Sequence, residues 1–180
     1  AFLMLLAHGS PARADCAVRL QVPSVKHITA WLAVDLAQGG QLQDNIDVRV
    51  DDLLSCPPLA LGVEVIAPAD GRSRVSVRAA PNGAEIGSVP GGWQPLLALE
   101  PASTEVLVSP VVEWTAQGRP LPSGRHEVRL RWRLYPAQAL LPQPLIEAET
   151  LLIAEVPAVL NVELIAAGTR LPLAGATAML

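Results

Sequence analysis

The sequence has no block of like charge, no His/Cys cluster and a single lysine, Lys26; beyond residue 14 it has no apolar run approaching the ~18 residues of a membrane-spanning helix. Each absence excludes a class of function. At a net charge of -4, without clustered cations, the chain offers no footprint for nucleic acid or for an anionic membrane surface. No stable membrane insertion is expected once the first residues are removed. No GxSxG elbow is present, and past residue 14 only His27 and His126 could serve as a base, neither in a recognisable catalytic setting. Ligand spacings for a metal are missing, and Asp44, Asp47, Asp51 and Asp52 lack the rhythm of a calcium loop, so they read as a solvated edge. No glycine-rich phosphate loop follows a strand and opens a helix. The expectation is a non-enzymatic chain without cofactor or metal.

What is present is apolar residue in short runs. Of 180 residues, 51% are hydrophobic, and the mean hydropathy of +0.35 comes from Ala, Val and Leu interrupted by 17 Pro and 13 Gly. That is enough to bury a core, in one domain or one and a piece. The opening "AFLMLLAHGS" is too short to span a bilayer but suits the apolar region of an export signal, and Ala12-Arg13-Ala14 supplies the small-x-small triplet. Cleavage is expected after Ala14. The chain opens on Ala without a basic stretch, so residues 1–14 read as a signal peptide incomplete at its start. Asp15 precedes Cys16 where a lipid-anchor motif needs a small residue, which favours export without an anchor.

Cys16 and Cys56 are too far apart for a CxxC redox or zinc pair. In an exported chain the economical reading is one disulfide, with two free thiols as the alternative. The model of lost chain entropy gives such a bridge ~3–4 kcal/mol.

Alternation with period two dominates the pattern, and helical periodicity is hard to find. "CAVRLQV", "TAWLAVDL" and "NIDVRVDDL" read as strands, with Gly39-Gly40 separating the second from the third. "LGVEVIAPADGRSRVSVRA" reads as a hairpin: Val63 and Val65 alternate with Glu64, Asp70-Gly71 turns the chain, and Val75 and Val77 follow. "EVLVSPVVEW" places Val106, Val108, Val112 and Trp114 on one side, with Pro110 marking an edge strand or a bulge. The strongest strand is "RHEVRLRWRLYP", with Val128, Leu130, Trp132 and Leu134 facing one way and Arg129, Arg131 and Arg133 the other. The arginine row reads as a solvated face rather than an anion site. "PNGAEIGSVPGGWQPLLALEP" carries Trp93, Leu96 and Leu97 and reads as a loop over the sandwich end, with an apolar binding tip as the sharper alternative. "LIEAETLLIAEV" and "AVLNVELIAAG" are two further strands, the second with Leu160, Val162 and Leu164 inward, and Pro157 between them marks a boundary; the final "TRLPLAGATAML" looks cut. The fold class is all-β, an immunoglobulin-like β-sandwich with one disulfide.

Cys16, Cys56 and the "PLPSGRHEVRLRWRL" strand, with Gly124, Val128, Leu130, Trp132 and Leu134, resemble the pilin-type domains of chaperone–usher fimbriae, especially the archaic group with spore coat protein U-like domains. The resemblance covers roughly residues 15 to 136. It departs from the family at Arg125 and His126, where an aromatic residue commonly follows the glycine. It implies an incomplete sandwich whose last strand comes in trans, first from a periplasmic chaperone and then from the next subunit, with an usher and neighbouring fimbrial subunits as partners. Such subunits carry a donor extension before the first cysteine. Here only Asp15 would lie between Ala14 and Cys16, so the role implied is a tip subunit with an adhesive first domain, exported through the periplasm to the cell surface or a fimbria. "LIEAETLLIAEV" would then complete the first sandwich internally, giving an immunoglobulin-like pilin or adhesin-type domain over residues 15–156, and residues 157–180 would form a linker or the first strand of a truncated second domain. A host or surface receptor would meet the loops holding Trp93, Leu96 and Leu97. The alternatives are another secreted or periplasmic immunoglobulin-like module, carbohydrate-binding or chaperone-like, and a hydrolase or inhibitor, for which no residue constellation speaks.

Overall fold

The computed structural model describes residues 16–66, 73–79, 85–87, 93–102, 104–138 and 143–158. The residues read as an export signal, the expected Asp70-Gly71 turn, all but the first residue of the expected strand "AVLNVELIAAG" and the final residues lie outside these. In chain order the elements are β1 (Arg19–Gln21), β2 (Val25–Ile28), α1 (Ala30–Ala37), β3 (Gln41–Asn45), β4 (Val48–Asp51), a 3-10 helix (Leu53–Ser55), β5 (Leu59–Ile66), β6 (Arg74–Arg78), β7 (Glu85–Gly87), β8 (Gln94–Leu99), β9 (Glu105–Val108), β10 (Val111–Thr115), β11 (Gly124–Pro136) and β12 (Ile146–Val156).

One layer is a five-stranded sheet in the order β2-β12-β11-β5-β8. The other is formed by two sheets, β1-β4-β9 and β3-β10-β6-β7, which run into each other. Asn45 faces Val111 and Val48 faces Val108, so the register is unchanged across the gap between them. The gap has a local cause: Pro110 has no N–H to give to the ladder, although its carbonyl still accepts the Ile46 N–H at 3.0 Å. The side chains of Val108, Val112 and Trp114 all face inward, as alternation requires.

The core lies between the layers. Val128, Leu130, Trp132 and Leu134 of β11 are buried to 1% exposure or less, against Val48, Val50, Val75, Val77, Val112 and Trp114 of the opposite layer. The Trp132 indole N–H donates to Thr150 Oγ1 at 3.0 Å, which satisfies both polar groups of a dry site. Cys16 and Cys56 are joined in a disulfide with 4.7 Å between their Cα atoms, tying the segment ahead of β1 to the turn after β4.

Three expectations are corrected. "TAWLAVDL" is not a strand: Ala30–Ala37 is a helix whose buried residues Ala33, Leu36 and Ala37 follow the i, i+3, i+4 spacing of a helical face. The Gly-Gly pair is the helix stop rather than a break between strands. Gly39 sits at φ +80°, the Gly40 N–H reaches back to Asp35 O at 2.7 Å and the Gly39 N–H to Leu36 O at 3.2 Å, a Schellman closure. A Cβ on Gly39 would also stand 2.9 Å from the Gly118 carbonyl carbon.

The second correction concerns the hairpin. β5 and β6 do not pair: β5 lies between β11 and β8, whereas β6 lies between β10 and β7 in the other layer. Alternation makes one face of each strand apolar but does not choose its neighbour. The third is the supposed loop carrying Trp93, Leu96 and Leu97, which contains the strands β7 and β8.

Candidate functional site

β12 lies inside the five-stranded sheet, paired antiparallel to β11 from Ile146 opposite Leu134 to Val156 opposite Gly124. Its other edge pairs in parallel with β2, from Leu151 opposite Val25 to Ala154 opposite Ile28. Thr150, Leu152, Ala154 and Val156 point inward and are 3% exposed or less, so alternate side chains of the chain's own strand fill the groove. Edge strand β2 is also tied across the open flank of the sandwich: the ammonium of Lys26 lies 3.2 Å from Asp44 of β3.

The outer face of this sheet carries the arginine row, each member beside a carboxylate. Arg131 Nε donates to Glu149 Oε1 at 2.9 Å and its Nη1 lies 3.5 Å from Glu64; Arg133 Nε is 2.9 Å from Glu147, and Arg129 is 3.8 Å from Glu149. The hydrogen bond that Arg131 donates to Glu149 raises its pKa further, so it stays cationic throughout. Three guanidiniums facing three carboxylates leave no net positive field for an anion, in line with a solvated face.

Trp93 belongs to the same surface. Its ring is 3.5 Å from the Arg133 guanidinium carbon, a cation–π stack on the outer face. Leu96 and Leu97 follow in β8, half-buried against the core, with Leu97 opposite Leu61. The structure thus brings Trp93 onto the charged ladder and leaves Leu96 and Leu97 as packing residues of an edge strand.

The acidic group is more structured than a solvated edge. Asp51 is buried and accepts from Arg49 Nε and Gln21 Nε2, both at 2.9 Å, while Asp52 pairs with Arg19 at 2.9 Å and Asp47 accepts from Ser109 Oγ at 2.7 Å. With Lys26 on Asp44, every member has a partner. His126 Nε2 lies 2.8 Å from the Pro122 carbonyl, and His27 is exposed on β2. Among the described residues no group of three or more His, Cys, Asp or Glu side chains is arranged to hold a metal ion.

Sequence reasoning missed a polar groove on the four-stranded sheet of the opposite layer, holding about 290 Å³ and lined by Gln41, Arg74, Ser76, Glu113, Thr115 and Gln117. These residues come from three strands and a turn far apart in the chain. Strand pairing assembles them, and polar residues at outward positions give no sign of it.

No protein family and no curated protein sequence matches the chain. Solved structures do. The CupB6 tip adhesin of Pseudomonas aeruginosa aligns over 78% of this chain and 43% of its own, at 5% identity and a TM-score of 0.51. CfaE, the adhesive subunit of CFA/I fimbria of enterotoxigenic Escherichia coli, aligns over 81% of this chain and 50% of its own, at 12% identity and a TM-score of 0.42. A PapD-like domain of human CEP192 aligns over 88% of this chain and 96% of its own, at 10% identity and a TM-score of 0.41. The chain therefore spans half the length of these two adhesins or less. At such identities the likeness is one of fold alone, and the fold of this chain is an immunoglobulin-like β-sandwich with one disulfide. Among the described residues no helix is long and apolar enough to cross a membrane.

Proposed function

We propose that residues 15–156 are the adhesive domain of a fimbrial tip subunit, exported with loss of residues 1–14, non-enzymatic, and joined through residues 157–180 to a further domain that meets the neighbouring subunits. The observation that carries this reading is β12. A shaft subunit needs its last-strand slot open, because a strand lent by a neighbour adds along that edge and inserts alternate apolar side chains. Here the slot holds Ile146–Val156 of the same chain, paired on both sides. A sheet filled at that position by its own strand needs no donor there, which supports assembly, with a periplasmic chaperone and usher, through the rest of the subunit and a receptor-binding role for this domain.

Expression of residues 15–156 in the periplasm without chaperone or donor peptide tests it. The expected product is a soluble, disulfide-bonded monomer, and antibodies to it mark the ends of assembled fibres. A product that aggregates unless a donor peptide is supplied, or antibody label spread evenly along the shaft, would overturn the proposal.

A further inference from the structure

We propose that the second half of β8 pairs antiparallel with the same segment of a second copy of this chain, an inference that goes beyond the adhesive reading and does not depend on it. β8 ends the five-stranded sheet, and among the described residues its only strand partner is β5. An unpaired edge offers backbone N–H and C=O groups to any extended segment, so edges are commonly protected by charge, by proline or by a bulge. Among the described strands, six end a sheet. Five of them contain a charged residue: Arg19 in β1, Lys26 in β2, Asp44 in β3, Glu85 in β7 and Glu105 in β9. β8, with the sequence QPLLAL, contains none.

That difference selects the occupant. In a two-fold pair the same strand lies on both sides, so a charged edge brings like charges together, whereas β8 meets its own copy without repulsion. Its protection is confined to the first half: Pro95 has no N–H to give, and Leu96 is the extra residue where the register shifts between Leu61 and Gly62. Past that point the strand is regular, with Leu97 opposite Leu61, Ala98 opposite Ala60 and Leu99 opposite Leu59. A two-fold axis beside Ala98 sets Ala98 against its own copy and Leu97 of each copy against Leu99 of the other, residues that share one face of the sheet. The nearest following charge, Glu100, falls at opposite ends of such a pair. Leu99 is already buried, but Leu97 is half-buried and Ala98 exposed, so apolar surface on both faces of the edge is left for a second copy to cover. The contact is far smaller than the ~1,200 Å² of a stable complex, so dilute protein is monomeric and pairing requires copies crowded together.

Sedimentation equilibrium of the full chain from about 10 μM to about 1 mM tests the pairing, with amide hydrogen exchange of the same samples at the two extremes. The expected result is a mean mass that rises from the monomer toward twice its value, with exchange slowed at residues 97–99 in the concentrated sample. Ala98→Lys places like charges opposite each other and should weaken the pairing about fivefold. An equimolar mixture of Ala98→Lys and Ala98→Glu should restore it. Leu107→Lys, which removes a 63% exposed leucine from β9, should leave it unchanged and so separates strand pairing from general apolar association. A parent that stays monomeric at every concentration, which would leave the edge to some other extended segment, overturns the inference. So does association in which residues 97–99 exchange as fast as in the monomer, or a folded Ala98→Lys variant that pairs as the parent does. The exchange measurement on the parent decides the matter even where a variant fails to fold. None of these outcomes bears on the strand closure behind the tip reading, which the periplasmic expression experiment tests separately.

Discussion

At the scale of single residues, the two core tryptophans make opposite demands. Trp132 donates to Thr150 in a site without solvent, so Trp132→Phe leaves a buried hydroxyl without its donor and removes ring volume. A loss of about 2 kcal/mol is expected in urea unfolding. The indole N–H of Trp114, equally buried, has no partner among the described residues, so Trp114→Phe should cost at least about 1 kcal/mol less in the same measurement. Period two in the sequence placed both rings inside; which N–H found a partner was decided by the register that sets Leu130 opposite Thr150, and register is not written in alternation. Tyr135, the sole tyrosine, offers a second residue-level check. Burial raises its phenol above the ordinary 10.0. The neutral form is favoured in the folded state, so its small contribution is fully present below the unfolded pKa and lost as pH rises through the folded one. Absorbance at alkaline pH should show the folded phenol ionising at higher pH than the same group in urea.

Elements show why part of the fold was legible and part was not. β11 and β12 were plain in the sequence because long strands with one wet face alternate cleanly, as Val128 to Leu134 do against the three arginines. The helix was hidden because eight residues give barely two turns, and within "AWLAVDLA" the inward set Ala33, Leu36 and Ala37 overlaps a pattern of alternation. The clue lay in Gly39. Its φ of +80° and the near approach of Gly118 mean that Gly39→Ala strains the helix stop and forces the β10–β11 turn outward. A loss of about 1–2 kcal/mol is expected by thermal unfolding. The polar groove escaped notice for the reason that undid the hairpin: outward residues of β3, β6 and β10 become neighbours only once the layers choose their strands. Conversely, the arginine row could be read as a solvated face, since the chain also carries the glutamates of β5 and β12 that meet it.

For the whole molecule, two closures hold the sandwich, one covalent and one made by pairing. The Cys16–Cys56 bridge fastens the segment ahead of β1 to the turn between β4 and β5, and its reduction should lower stability by about 3–4 kcal/mol in urea unfolding without changing the fold. The closure by β12 matters more, because the proposed function rests on it: a sheet completed by its own strand needs none from a neighbour at that position. Amide hydrogen exchange on the isolated, monomeric chain tests this most directly. Residues 146–156 are expected to be protected as strongly as their partners in β11, with no change when a donor peptide is added. Rapid exchange along 146–156, or displacement of that segment by the peptide, would contradict it.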